Sequence, residues 1–377
     1  MAPDLSRSAV IRLLSLTEKE DQEALIKKAY ATKEQELGRN VFLRGLIELS
    51  NVCRKNCLYC GIRCGNEKVA RYSLSDEEVL KTVETARQNR LTSLVIQAGE
   101  QTNKAFINRM TQLITCIKKA TQDDFRITLS LGEQTADTYR RWFEAGAQRY
   151  LLRIETSSEE LYKKIHPADG LHDFKTRLNC LERIREIGYQ TGTGVMIGLP
   201  FQTIENLADD LLFIKQQDID MVGMGPYIEH TETPLFNEAA TLMPLIDRFD
   251  LSLRMIAVLR LLMPVINIAS TTALQAIVPA GRELGLMAGA NVLMPNLTPV
   301  HYQRNYRLYE HKPCLDKRAG EILDELSDKI RAIGESIVYE DYGDSAHYLI
   351  RINQPTSTPK NDDQRKSMSC SGDDRRR

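Results

Sequence analysis

Between Val41 and about Asn296, short apolar runs alternate with amphipathic stretches, and no other feature of the sequence restricts its fold as tightly. The strand-like runs are 41–49, 93–98, 126–131, 149–154, 193–199, 220–226, 265–270 and 290–294. Helical stretches lie between them at Asp76–Asn89, Lys104–Ala120, Thr135–Ala145, Asp173–Ile187, Ile204–Gln216 and Pro244–Leu262. Several runs, such as Ser93-Leu-Val-Ile-Gln-Ala-Gly, are apolar on both faces, as strands of a parallel sheet covered on both sides must be. Eight βα units over roughly 250 residues predict an α/β chain folded as a complete (β/α)8 TIM-type barrel. A doubly wound sheet is the competing architecture, and periodicity alone does not separate the two. Ser75, followed by Asp-Glu-Glu, and Thr203 are the expected helix caps.

Residues 1–40 are charged, with short apolar faces at Leu13, Leu14, Leu25 and Ile26, and are expected to form an N-terminal helical extension. The barrel is expected over 41–313 and a C-terminal helical segment over 314–353, with a helix near Leu315–Gly334. From 354 to 377 the chain is Ser, Thr, Pro, Lys, Asp and Arg, too poor in apolar residues to fold, and a disordered tail is expected. Fifty basic residues against 51 acidic ones give a net charge of −1, which argues against a general nucleic-acid or acidic-membrane binder. The best candidate for a membrane span, Leu251 to Ala269, is broken by Arg254, Arg260 and Pro264. The N-terminus lacks a basic start followed by an apolar run, so a cytoplasmic protein is expected.

Of eight cysteines, Cys53, Cys57, Cys60 and Cys64 fall within 12 residues, while Cys116, Cys180, Cys314 and Cys370 are scattered. Without a secretion signal, a disulfide framework is not expected and the cluster reads as a metal or iron–sulfur site. Cys53-Arg-Lys-Asn-Cys57-Leu-Tyr-Cys60 is a C-x3-C-x2-C motif in the loop directly after the first strand. Three thiolates at that spacing can ligate three irons of a 4Fe–4S cluster, which normally takes four cysteines, and so leave the fourth iron open. The amino and carboxylate groups of a methionine moiety can chelate there and bring a sulfonium beside a low-potential electron donor. That is the logic of radical S-adenosylmethionine (SAM) chemistry, in which one electron cleaves the sulfonium and releases a 5′-deoxyadenosyl radical. The alternative is structural zinc, with Cys64 supplying a fourth sulfur to a closed tetrahedral site.

In a parallel barrel the active site lies at the C-terminal ends of the strands. Gln97-Ala-Gly99-Glu100 follows the second strand; Gly99 permits close backbone approach, and a carbonyl or Glu100 could hold the amino group of SAM. Ser130-Leu-Gly132-Glu133 follows the third. The fourth, Tyr150-Leu-Leu-Arg153-Ile-Glu155-Thr156, places Arg153 and Glu155 on one side by period-two alternation, toward the lumen. An arginine there can grip a carboxylate bidentately, and a glutamate can accept from a ribose or an amine; the alternative is a salt bridge internal to the barrel. Strand seven ends at Ser270-Thr271-Thr272, a hydroxyl pair that would serve equally to cap the next helix. Gly192, Gly194 and Gly198 do not make a dinucleotide fingerprint, and the six histidines form no metal-like pair.

These motifs resemble the radical SAM superfamily and, within it, the FeFe-hydrogenase maturase HydE family, with more distant likeness to biotin synthase and methylornithine synthase. The resemblance runs over roughly Val41 to Pro313. It is carried by Ser50-Asn-Val-Cys-Arg-Lys-Asn-Cys-Leu-Tyr-Cys-Gly61, Gln97-Ala-Gly-Glu100, Leu129-Ser-Leu-Gly-Glu133, Arg149-Tyr-Leu-Leu-Arg-Ile-Glu-Thr156, Arg177-Leu-Asn-Cys-Leu181, Gly198-Leu-Pro200, Asp220-Met-Val-Gly-Met-Gly-Pro226, Ala269-Ser-Thr-Thr-Ala273 and Gly289-Ala-Asn-Val-Leu-Met-Pro-Asn296, and by Tyr302 to Tyr309. The resemblance implies a barrel with a closed internal cavity, Cys53, Cys57 and Cys60 on the cluster, and Tyr59, Gln97, Glu155 and Arg177 around SAM. It implies that Arg153, Thr271 and Thr272 hold the carboxylate of a small sulfur-containing substrate, with Tyr306 near the reacting end. The implied substrate is a cysteine-bound iron carbonyl cyanide unit whose sulfur the adenosyl radical attacks, a step toward the dithiolate-bridged di-iron subcluster. The implied partners are a one-electron reductant such as ferredoxin or flavodoxin and other hydrogenase maturases, with no nucleic acid and no membrane.

The sequence departs from that family in three places. Ile154 stands where a histidine is usual; alternation turns it away from the lumen, so SAM binding is expected to survive. The C-terminal cysteines that carry an accessory cluster in many members are reduced to Cys314, and no second cluster is expected. Glu229-His-Thr-Glu-Thr233 replaces Pro-His-Pro-Asp-Thr. The alternatives are a HydE-like paralogue with another substrate, a methylornithine synthase-like mutase acting on an amino acid, and, in another class, a non-catalytic metal-binding carrier barrel.

Overall fold

Every apolar run of the alternating pattern becomes a strand. The computed structural model describes residues 5–313 and 317–353. Its strands are β1 (Asn40–Leu43), β2 (Gly45–Ser50), β3 (Ser93–Ala98), β4 (Arg126–Ser130), β5 (Ala147–Leu151), β6 (Gln190–Thr193), β7 (Met196–Ile197), β8 (Met221–Pro226), β9 (Asn267–Ser270), β10 (Val292–Leu293) and β11 (Ser336–Val338). All pair in parallel, in the order β11-β1-β10-β9-β8-β6-β5-β4-β3-β2, with β7 on β8. From β2 to β10 the order follows the chain without reversing, which excludes the doubly wound alternative, whose order turns back at a switch point. The sheet curls. Only Arg44 separates β1 from β2, yet β1 pairs with β10 and β2 with β3. The Leu46 N–H donates to Pro295 O (2.8 Å) and the Leu297 N–H to Leu46 O (2.8 Å), so residues 40–50 are bonded on both sides.

Helices cover the outer face, with ends close to those expected. The helix Asp76–Gln88 starts at a reciprocal cap, in which Ser75 Oγ accepts from Glu78 N–H and the Glu78 carboxylate accepts from Ser75 N–H. Thr203 and Asn206 repeat the device at the helix Ile204–Gln216. Each helix buries an apolar stripe, for example Met110, Leu113, Ile114 and Ile117 of Lys104–Ala120. At the N-terminus, the helices Arg7–Leu14 and Lys19–Leu37 bury Val10, Leu14, Leu25 and Ala29 and pack on the long helix Leu245–Leu262. Among the described residues no helix is long and apolar enough to cross a membrane. The expected tail, 354–377, lies outside the described residues, as does Cys314.

Three stretches differ from expectation. The run 193–199 is divided: β6 (Gln190–Thr193) starts three residues earlier and sits in the main sheet, while β7 (Met196–Ile197) pairs only with β8. The fourth strand is Ala147–Leu151 rather than 149–154, because the chain leaves the ladder after Leu151 and Glu155 adopts a left-handed φ of 67°. The C-terminal segment also carries more than a helix. After Ala319–Ala332 it adds β11 alongside β1, and then Asp341–Ser345 closes the N-terminal end of the sheet. There Gly343 O accepts from Arg44 Nη2 (3.1 Å) and Asn267 Nδ2 (2.9 Å), and Asp344 Oδ1 accepts from Arg149 Nη2 (2.5 Å) and Gln190 Nε2 (3.0 Å). Arg149 is fully buried. Asp344→Ala should therefore leave an unpaired buried guanidinium and cost about 3–5 kcal/mol, read as a lower urea midpoint at neutral pH. Burial raises the Asp344 carboxyl, but Arg149 outweighs it and holds the group below the usual range. The pair's stabilisation is thus complete above the ordinary carboxylate pKa and lost as pH falls through the depressed one.

Candidate active site

Parallel pairing delivers the C-terminal ends of all the strands to one side, and there a cavity of about 350 Å³ opens, bordered by Glu48, Gln97, Ser130, Arg153, Ser270 and Asn296. The loop after β2 runs along its edge. Cys53, Cys57 and Cys60 border the cavity, whereas Cys64 is exposed and does not. Gly99 serves this loop: a β-carbon there would lie 2.4 Å from Val52 O and 2.6 Å from Cys53 Cβ. The close approach expected of Gly99 is thus made to the cysteine loop's own backbone. Glu100 N–H donates to Cys53 Sγ (3.3 Å).

The three thiols are unpaired with one another. Burial pushes Cys57 up to about 12 and Cys60 well above the ordinary thiol value, so each stays protonated until a metal displaces its proton. A closed zinc site gathers four donors about one point. Among the described residues, no three His, Cys, Asp or Glu side chains converge in that way. Cys53, Cys57 and Cys60 all border the one cavity, and three thiolates there suit a 4Fe–4S cluster with one iron left open.

Tyr59 borders the cavity and its hydroxyl bonds His166 Nε2 (3.2 Å). Gln97 Nε2 donates to the hydroxyl of the buried Tyr306 (3.2 Å). Arg153 and Glu155 do form the internal salt bridge (Nη2–Oε2 3.0 Å, Nε–Oε1 3.0 Å), and both also face the cavity. Arg153 further donates to Gly223 O (2.8 Å) and Val195 O (2.9 Å). A left-handed glutamate costs about 1–3 kcal/mol, the kind of strain found where a side chain must be aimed. Here it is fixed by Glu155 N–H to Gly194 O (3.0 Å) and Met196 N–H to Glu155 O (3.1 Å). Ile154 is buried in the surrounding apolar core, away from the cavity as expected, although β5 has ended at Leu151 and strand alternation does not set it there. Arg177 Nε donates to Glu133 Oε1 (2.5 Å) and Nη1 to Arg153 O (2.8 Å). Thr271 makes no side-chain cap on the helix Thr272–Ile277, so the capping alternative is not used; Thr272 Oγ1 bonds Tyr309 Oη (2.8 Å). Every residue expected at the site borders this one cavity.

Other residues there were missed. Glu48 is buried, accepts from Asn296 Nδ2 (3.2 Å) and pairs with Lys312 Nζ, which also donates to Tyr306 O (2.8 Å). An acidic residue inside an apolar strand was the available signal for Glu48; nothing local marked Lys312. Lys312 belongs to a segment joined to the cysteine loop through Gly61 N–H to Leu308 O (3.0 Å) and Asn51 Nδ2 to Asn305 O (2.7 Å). Lys55, between the first two cysteines, is buried beside Glu100 and Glu133.

The profile of the radical SAM superfamily matches residues 47–214. The chain is 44% identical over 313 residues to the [FeFe] hydrogenase maturase subunit HydE of Thermotoga maritima, covering 83% of this chain and 86% of that one. It is 29% identical to 3-methylornithine synthase of Methanosarcina acetivorans, over 80% and 83% of the two chains. The crystal structure of methylornithine synthase (PylB) superposes with a TM-score of 0.76 at 25% identity, covering 90% of this chain and 95% of that one. With the cysteine loop and the strand-end residues all turned to one cavity, the chain belongs to the HydE family of [FeFe] hydrogenase maturases, within the radical SAM superfamily.

Proposed function

We propose that this enzyme acts in FeFe-hydrogenase maturation by directing a 5′-deoxyadenosyl radical onto a small sulfur-containing substrate, in the form of a cysteine-bound iron carbonyl cyanide unit. The observation that carries the reading is the convergence of the cluster thiols, an Arg–Glu pair and two threonines on one cavity. We read the curled sheet as a complete (β/α)8 barrel, supported by the bonds on both sides of residues 40–50. Cys53, Cys57 and Cys60 hold the 4Fe–4S cluster. When bound, the cluster supplies the electron that cleaves SAM. Tyr59, Gln97, Glu155 and Arg177 surround SAM; the carboxyl oxygens of Glu155 receive its donors, and Arg177 presents positive charge to its carboxylate. Arg153, Thr271 and Thr272 hold the substrate carboxylate, and Gln97 fixes the Tyr306 hydroxyl near the reacting atoms. A primary carbon radical attacks almost any C–H bond, so the lumen must exclude water and keep one atom in line. The electron comes from a small reductant protein such as ferredoxin or flavodoxin in the cytoplasm, and the product passes to other maturases.

Anaerobic reconstitution with iron and sulfide, followed by dithionite and SAM, should yield 5′-deoxyadenosine, and the yield should vanish when Cys53, Cys57 or Cys60 is replaced. A fully loaded 4Fe–4S protein that forms none would mean that SAM is not its ligand, and a carrier role would lead.

A further inference from the structure

Lys55 is the charged residue buried inside the cysteine loop, whereas its neighbour Arg54 is exposed. Lys55 Nζ donates to Glu133 Oε2 (2.8 Å) and to the carbonyl of Leu171, and Glu100 Oε1 stands at ion-pair distance, 3.6 Å. Glu133 gives its other oxygen to Arg177 Nε (2.5 Å), and Arg177 Nη1 reaches the backbone oxygen of Arg153 (2.8 Å). Glu100 Oε2 in turn accepts the Glu133 N–H (2.8 Å). A continuous chain of charge-assisted bonds therefore runs from the loop that carries the cluster thiols to the guanidinium at the cavity wall, and ends on the backbone of Arg153. The same loop is gripped from outside by Asn56 N–H to His172 Nε2 (3.1 Å), Leu58 N–H to Ile165 O (3.1 Å) and Tyr59 Oη to His166 Nε2 (3.2 Å).

These outer contacts already hold the loop in place, so a buried lysine is not needed merely to anchor it. Burying a cation is costly unless it is paired and hydrogen-bonded, and the partner chosen here is the carboxylate that orients Arg177. We propose that Lys55 is a positioning residue for SAM: through Glu133 it fixes the direction of the Arg177 guanidinium, so that cluster-loop placement and SAM affinity are set together. This inference rests on the proposed placement of SAM at Arg177. Lys55 itself does not ligate the cluster or contact the reacting atoms.

The test uses the full chain, reconstituted anaerobically and brought to equal iron and sulfide content. SAM binding is measured by equilibrium dialysis without reductant, and the EPR spectrum of the reduced cluster is recorded with and without SAM. The wild type should bind SAM and change its spectrum; failure there overturns the SAM reading and this inference with it. Given wild-type binding, Lys55→Met and Glu133→Gln should each weaken SAM affinity about 10- to 100-fold at full cluster loading, and Lys55→Arg should recover most of the loss. A merely structural lysine would instead lower cluster content and leave the affinity of loaded protein unchanged. If Lys55→Met fails to load, Glu133→Gln decides: weakened SAM binding supports the relay, and wild-type affinity overturns it while the SAM reading stands.

Discussion

Cys57→Ala is expected to lose the cluster and with it all SAM cleavage, whereas Cys64→Ala should keep both. The two thiols lie seven residues apart in one loop, yet their surroundings divide them. Cys57 borders the cavity among buried groups, while Cys64 is exposed and its N–H donates to the carbonyl of Lys55 (2.9 Å), on a stretch that leaves the cavity. A cluster held by three thiolates has no ligand in reserve, so removing one removes a full corner of the cage. An exposed cysteine outside it behaves as a surface substitution, with a stability change within about 0.5 kcal/mol. Iron and sulfide content together with 5′-deoxyadenosine yield decide the matter. Equal loss from the two variants would instead favour a four-thiolate site of the closed kind.

The fold was legible because strands of this sheet are buried on both faces, and their runs therefore read as continuous apolar segments rather than alternating ones. Ser93–Ala98 and Lys104–Ala120 stand where the pattern puts them, and Ser75 stops the frame of its helix through a purely local cap. The misplaced fourth strand shows where this reading fails. Its first half contains Gln148 and Arg149, and Arg149 is tolerated at full burial only because Asp344, 195 residues away, neutralises it. Glu48 and Lys312 are 264 residues apart, and Lys55 meets Glu133 across 78. A sequence window shows one member of such a pair as an ordinary charge and cannot show that the other exists. That Cys53, Cys57 and Cys60 share one edge of the cavity was legible for the opposite reason, since all three fall within one loop and their spacing is the signal. The left-handed turn at Glu155 carries no local mark, because it is enforced by Gly194 and Met196 on the neighbouring segment.

The double variant Thr271→Ala, Thr272→Ala should retain the cluster and uncoupled SAM cleavage while losing substrate turnover. Thr271 Oγ1 lies 3.5 Å from Met224 O, and Thr272 Oγ1 bonds Tyr309 Oη (2.8 Å), so these partners of the two hydroxyls lie outside the cysteine loop. Their positions are set tightly, since a β-carbon at Gly225 would fall 2.4 Å from Thr271 Oγ1, so the hydroxyl is held at the cavity wall by the packing of β8. Hydrogen bonds to a charged group contribute about 1.5–3 kcal/mol each. Losing two from a substrate carboxylate should lower substrate turnover by about 10²- to 10⁴-fold, while each deleted hydroxyl changes folding stability by about 1 kcal/mol. The measurement is the ratio of substrate consumed to 5′-deoxyadenosine formed, alongside iron content. A fall in that ratio with cleavage intact assigns the pair to the substrate. Loss of iron instead would place the threonines in the support of the cluster, and the carboxylate would then have to be held by Arg153 alone, a guanidinium already committed to Glu155 and to the carbonyls of Gly223 and Val195.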